Sequence, residues 1–369
     1  MFRFRTIQIS ESGAEDGQAA ADSYFEWRQD IAVAQLSGDW TRVQELLEDK
    51  AENPVCNAAL QRQFYLMMQG HVRKRLSRDF AESAALYEQA IRITIPDFPC
   101  QMSDSILLNV QEIMLLLFWQ AVQPDKRYSE ELLKFLEQYV PAHFRDEQVT
   151  IKIYPKIVSA YLPFLLEQGK YTECFSMAEK TIDMMVSSAY ASCMRTVLHF
   201  YIQAAEKLGR EQGLPEKRAQ LAAWKELMDA FGQSGDDNAE NELLPDVWQE
   251  IELLRHYQES RVRLEFHYRT AMLIVVHLSQ CTGVMKNYVK ELKYSEEGIR
   301  LHMISGARKL LPTCVNNLAD ALENMGQKEK ALKFYRLAFY SAELMKREGT
   351  AKVARRSYEK LLGREIQWY

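Results

Sequence analysis

The stretch Leu318–Leu344, LADALENMGQKEKALKFYRLAFYSAEL, decides the fold. From Ala331, the residues Phe334, Tyr335, Ala338, Phe339, Ala342 and Met345 follow at offsets of 3, 4, 7, 8, 11 and 14, one face of a helix. Gly326 separates this helix from a preceding one, since glycine is common just past a helix end. Gly326, Ala331, Tyr335 and Ala338, with Leu318 and Ala319 ahead of them, have the spacing of a tetratricopeptide helix pair; Lys328 stands where the template has an aromatic.

Other stretches repeat the pattern. YLPFLLEQGKYTECFSMAEKTI supplies Gly169, Tyr171, Cys174 and Ala178; RDFAESAALYEQAIRITIP supplies Phe80, Tyr87, Ala90 and a closing Pro96; SGDWTRVQELLED supplies Gly38 and Trp40. RYSEELLKFLEQY and NYVKELKYSEEGI are weaker copies, aligned on Tyr128 and Tyr288. Second helices are thus expected to start near 40, 80, 128, 171, 288 and 328, at gaps of 40, 48, 43, 117 and 40 residues. The long gap has room for two further degenerate pairs. One amphipathic pair cannot bury both its faces, but stacked pairs can. The expectation is an all-α chain, a tetratricopeptide-like right-handed superhelix of antiparallel helix pairs. Its expected parts are a flexible segment 1–22, an N-terminal array 23–232, a linker 233–242 and C-terminal repeats with a capping helix over 243–369.

Composition agrees. Only 15 Gly and 10 Pro in 369 residues disfavour a turn-rich all-β fold. With 47% hydrophobic residues the chain has material for a core, and 46 Lys+Arg against 51 Asp+Glu leave a net charge of −5, not that of a bulk polyanion binder. The six cysteines, Cys56, Cys100, Cys174, Cys193, Cys281 and Cys314, lack the spacing of a zinc site or a small disulfide scaffold and read as reduced core residues. The N-terminus has no signal-peptide core. The stretch Ile106–Trp119 reads as a buried helix too short to span a membrane, which needs roughly 20 apolar residues. A cytoplasmic protein with no membrane partner is expected.

The blocks LQRQFYLMMQG, LYEQAIRITIPDF, LLNVQEIMLLL, KIYPKIVSAYLPFLLEQGKY and YSEEGIRL, with the tail from Asn316 to Tyr369, resemble the tetratricopeptide portion of Gram-positive bacterial transcriptional regulators. In that group, which includes the peptide-sensing Rgg and Rap-type proteins, an Xre-type helix-turn-helix is joined to a repeat domain. The resemblance implies a regulator that responds to a peptide, and it covers most of 24–232 and 284–369. It departs from the pattern in one respect: residues 1–22 are too few for the DNA-binding module, and no such motif occurs elsewhere. A DNA-binding regulator whose helix-turn-helix is missing from this chain, or supplied by a partner, is therefore the alternative to a self-sufficient scaffold. Duplex binding is not expected of the chain alone.

No phosphate loop, dinucleotide fingerprint, nucleophile elbow or zinc-helix motif occurs. The seven histidines are His71, His143, His199, His256, His267, His277 and His302, and none stands three or four residues from another. No catalytic residue, metal or cofactor is expected, and the chain reads as a non-enzyme. Basic clusters at His71–Arg78 and Lys346–Arg364 read as a helix end and a polar cap, with contact to an acidic partner or nucleic acid as the alternative.

The groove is the sharper candidate. In a tetratricopeptide array the first helix of each pair lines the concave face. Counting back from each turn places Tyr65, Gln69, Gln120, Lys156, Ser159, His277, Gln280, Asn316, Asn317, Asp320 and Glu323 inward. Asn and Gln offer both donor and acceptor to a peptide backbone, and a lysine can take a terminal carboxylate. A short peptide or protein segment is the expected partner. The terminal LLGREIQWY, with Leu361, Leu362, Ile366, Trp368 and Tyr369, must either dock on its own chain or pair with a second copy as a homodimer.

Overall fold

One chain reversal recurs along the described residues of the computed structural model, at Gly169, Gly209, Lys286, Gly326 and Lys346 among others. Gly169, Gly209 and Gly326 adopt left-handed φ values of 72°, 66° and 77°, and Lys286 and Lys346 adopt 59° and 51°. At each, the following residue donates its N–H to the carbonyl five residues back: Lys170 to Leu165 and Arg210 to Ala205 at 2.9 Å, and Asn287 to Thr282, Gln327 to Leu322 and Arg347 to Ala342 at 2.8 Å. The bond satisfies a carbonyl that the helix end leaves open. At Gly169 and Gly326 it costs no steric strain, because glycine has no Cβ. The two lysines bear a strain of ~1–2 kcal/mol. Lys286→Gly is therefore expected to stabilise the protein by about 0.5–1 kcal/mol, once the greater freedom of glycine in the unfolded chain is deducted. A rise in the urea midpoint checks this; a fall would show that the lysine's contacts outweigh its strain.

The structure describes residues 27–231 and 264–368, apart from 29, 32–33, 36–38, 50–58, 100–101, 104–105, 124–125, 146, 189, 192 and 306–307. The expected segments 1–22 and 233–242 lie outside these residues. The described residues form 14 α-helices and no strand, so the chain is all-α. The helices are α1 (Trp40–Asp49), α2 (Ala59–Val72), α3 (Phe80–Arg92), α4 (Val110–Gln120), α5 (Lys126–His143), α6 (Glu147–Glu167) and α7 (Tyr171–Ser188). They continue with α8 (Met194–Lys207), α9 (Leu214–Phe231), α10 (Leu264–Val284), α11 (Tyr288–Ser305), α12 (Leu311–Asn324), α13 (Lys328–Leu344) and α14 (Glu348–Leu362). Contacts divide the chain into two units, Met1–Asp125 and Lys126–Tyr369.

In the first unit, Trp27, Ile31 and Ala34 pack on Val43, Leu46 and Leu47 of α1 and on Phe64, Tyr65, Met68 and Val72 of α2. The Trp27 indole donates to the Leu46 carbonyl at 2.7 Å, so its one polar atom is satisfied. α2 lies close against α3: a Cβ on Gly70 would sit 2.4 Å from Cε1 of Tyr87, a fully buried ring. Gly70→Ala is expected to destabilise by ~1–2 kcal/mol, because overpacking outweighs the gain in helix propensity. Gly349→Ala, where nothing lies within 4 Å, should not destabilise. Urea unfolding of both variants checks the pair; equal behaviour would mean that Tyr87 moves freely. α4 begins at Val110 and not near Ile106, because Asn109 and Glu112 form a reciprocal capping box.

In the second unit each of α5 to α9 packs on the next, as does each of α10 to α14. α6 also touches α8, α10 touches α12 and α12 touches α14, the pattern of stacked helix pairs. Val149–Glu167, within α6, is long and apolar enough to cross a membrane by composition. Here it is a core helix, with Ile153, Ile157, Val158, Tyr161, Leu162 and Leu165 buried against its neighbours. α9 packs on α11 and α13, where Glu226 pairs with Lys333 and Arg336, both at 3.1 Å. The terminus docks on its own chain. Trp368 is buried, with ring centroids 4.2 Å from Phe339, 5.0 Å from Tyr358 and 6.1 Å from Tyr340.

Candidate functional site

The expected groove residues fall into three places. In the first unit, Tyr65 is buried in the core and its hydroxyl accepts from Gln69 Nε2 at 3.1 Å. Gln120 ends α4, half-buried. The polar link that sequence reading missed there is Gln63. Fully buried, it donates to Ala90 O at 3.1 Å and Thr94 Oγ1 at 3.0 Å and accepts from Gln111 at 3.2 Å.

On α6, Lys156 and Ser159 lie one turn apart, and the Ser159 hydroxyl donates to the Lys156 carbonyl at 2.9 Å. Burial lowers the Lys156 pKa, with the Cys193 thiol opposing and Lys152 adding to the shift. The same thiol acts on Arg308, whose guanidinium lies 5.1 Å from the centroid of Trp224 and donates to Met303 O at 3.1 Å. Burial brings Arg308 down to about 10.

The third place gathers most of the candidates. Asn316, Asn317, Asp320 and Glu323 follow at three- and four-residue spacing along α12. His277 and Gln280 are exposed on α10. Between them in sequence, buried Ser279 shares a 2.8 Å hydrogen bond with Ser295 and accepts from Asn317 Nδ2 at 3.3 Å. Asn316 Nδ2 donates to Asp320 Oδ2 at 3.2 Å. The Tyr335 hydroxyl of α13 meets Asp320 Oδ1 and, at 2.7 Å, Glu323 Oε2.

Sequence reading missed Glu291, on α11. It occupies the small-residue position of its helix pair, where the next pair has Ala331; that departure was the available signal. It is 6% exposed, and its carboxylate takes the space that a Cβ on Gly283 would fill, 2.5 Å from Oε1. Burial raises its pKa to about 7, with the charge of Asp320 adding to the rise. Burial also raises Asp320, opposed by the Tyr335 hydrogen bond, raised further by Glu323 and lowered by Lys360. Glu291 Oε2 and Asn316 Oδ1, both buried, have no hydrogen-bond partner.

Two histidines, His71 and His302, have structural surroundings. His71 is held neutral, its pKa lowered to about 3 by burial and then by Lys74 and Arg75, and Nδ1 lies 2.8 Å from the Tyr87 hydroxyl. His302 is lowered to about 4 by burial, and Nδ1 meets the Gly298 carbonyl at 2.6 Å. Among the described residues, no three His, Cys, Asp or Glu side chains could hold a metal ion. Comparison of the sequence with protein-family profiles and with curated proteins returns no match.

Proposed function

We propose that the chain is a non-enzymatic, cytoplasmic regulatory scaffold whose tetratricopeptide-like helix pairs bind an extended peptide or protein segment along a concave face. The row Asn316, Asn317 and Asp320 on α12 carries this reading. It sets two amides and a carboxylate along the first helix of a pair, at positions that point inward in such arrays. An extended backbone offers alternating N–H and C=O groups, which amides match in either direction. Lys156, on another first helix of the same unit, supplies a cation for a terminal or side-chain carboxylate. The resemblance to the repeat portion of peptide-sensing bacterial regulators supports the same reading.

Isothermal titration of the chain with a library of short linear peptides tests it. Binding that Asn316→Ala and Asn317→Ala weaken is the expected result. No binding at high micromolar peptide, with the helical circular dichroism intact, overturns it.

A further inference from the structure

Acceptors outnumber donors around Asp320. Asp320 and Glu323 bring two carboxylates to the Tyr335 hydroxyl, and Asn316, bonded to Asp320 through its Nδ2, adds an amide oxygen; Glu291, on the neighbouring helix α11, is a third carboxylate within reach of the Asp320 charge. Against them the protein sets one phenolic proton, on Tyr335, and the Asn316 amide hydrogens. The single Tyr335 proton faces both Asp320 and Glu323, so one of those contacts lacks a hydrogen. Lys360 is exposed and makes no ion pair with any of the three; its charge reaches Asp320 only as the weakest influence. Glu291 and Asn316, 6% and 7% exposed, each keep an acceptor atom without a partner. An unpaired buried acceptor is costly, and more so when charged.

The deficit is of N–H donors and positive charge together. A metal ion does not fit, since the carboxylates do not converge on one point. A guanidinium carries five donors on a planar fork and fits spread acceptors, whereas the three donors of an ammonium radiate from one nitrogen and can meet fewer of them. Asp320 and Glu323 are only half-buried, so the cluster meets solvent on their side.

We propose that Glu291, Asp320 and Glu323, with the Asn316 amide oxygen, form a subsite for a cationic group, an arginine or lysine side chain of the segment bound along α12. The proposal rests on the groove reading for the source of the cation, and on donor counting for its chemistry. Cation binding satisfies the orphan acceptors and relieves the repulsion between Glu291 and Asp320.

The test uses the full chain, with agmatine and cadaverine as free cations and with arginine-containing peptides against their citrulline counterparts. Expected are saturable binding of agmatine beyond that of sodium chloride at equal ionic strength, and at least tenfold weaker binding of citrulline peptides. Asp320→Asn and Glu291→Gln should each cost agmatine at least tenfold while the helical spectrum is kept. A carbon-detected titration should show the Glu291 carboxyl pKa falling when agmatine binds, which a merely structural carboxyl would not do. Agmatine binding that depends on Asp320, without peptide binding, supports the subsite and points to a free polyamine, while the groove reading fails. Peptides that bind equally with arginine or citrulline overturn the subsite and leave the groove. Agmatine affinity unchanged in Asp320→Asn and Glu323→Gln also overturns it.

Discussion

Replacing Trp368 with alanine is expected to destabilise the Lys126–Tyr369 unit by ~3–5 kcal/mol. The ring is 6% exposed and packs against Phe339, Tyr340 and Tyr358. Its indole N–H donates to Glu359 Oε1 at 3.0 Å, and its carbonyl accepts from the Tyr340 hydroxyl. Truncation exposes Phe339, leaves a cavity where α13 and α14 meet and loosens the chain end that brings the carbonyl to Tyr340. Trp368→Phe should retain most of the packing and lose the hydrogen bond, a cost of ~1 kcal/mol. Urea unfolding followed by circular dichroism checks both. The loss should be the same at low and high protein concentration, since the ring is buried within one chain. An alanine variant as stable as the parent would mean that the terminus is undocked in solution.

Glu291→Gln should act in the opposite direction, and only at neutral and alkaline pH. The carboxyl has an ordinary value of 4.5 and is raised to about 7 in the folded protein. The folded state therefore binds the proton more tightly than the unfolded state. Its stabilising effect is complete below pH 4.5 and is lost as pH rises through 7. Glutamine keeps the shape without the charge. The variant should match the parent near pH 4.5 and exceed it at pH 8 by on the order of 2 kcal/mol, after solvent screening is allowed for. Asp320 shifts in the same direction, so the parent's decline should be broader than a single titration. Urea midpoints across this range decide the matter; parallel curves for parent and variant would mean that Glu291 ionises freely.

The sequence announced some of this architecture plainly. Second helices were expected near 40, 80, 128, 171, 288 and 328, and helices begin at Trp40, Phe80, Lys126, Tyr171, Tyr288 and Lys328. Those positions follow from turn chemistry and three-to-four periodicity, which act over a few residues and can be read locally. The start of α9 at Leu214 was not legible. Its connection is longer, with left-handed residues at both Gly209 and Gly213, and no aromatic follows two residues after the first. At the site, Asn316, Asn317 and Asp320 were legible as one helical face. Glu291 was not counted, because a first-helix count does not ask what the second helix places opposite. Burial separated residues that periodicity had grouped: His277 and Gln280 are exposed on α10, whereas Asn316 and Asn317 are nearly covered. Arg308, buried against Trp224, comes from a part of the sequence too distant for any local pattern to join the two.

The seat of α9 on α13 makes this unit a candidate for fragment complementation. Trp224 is buried, the Phe231 ring lies tilted with its centroid 5.9 Å from that of Phe334, and Glu226 bridges to two cations of α13. These contacts join chain that precedes residue 232 to chain that follows residue 263. A protease site engineered between those positions would then yield two pieces that co-elute under native conditions and separate only in denaturant. Expressed apart, 1–231 and 264–369 should find each other on mixing. Binding of a peptide at the proposed α12 row could then be assayed as a reconstitution signal, with the split protein serving as its own reporter.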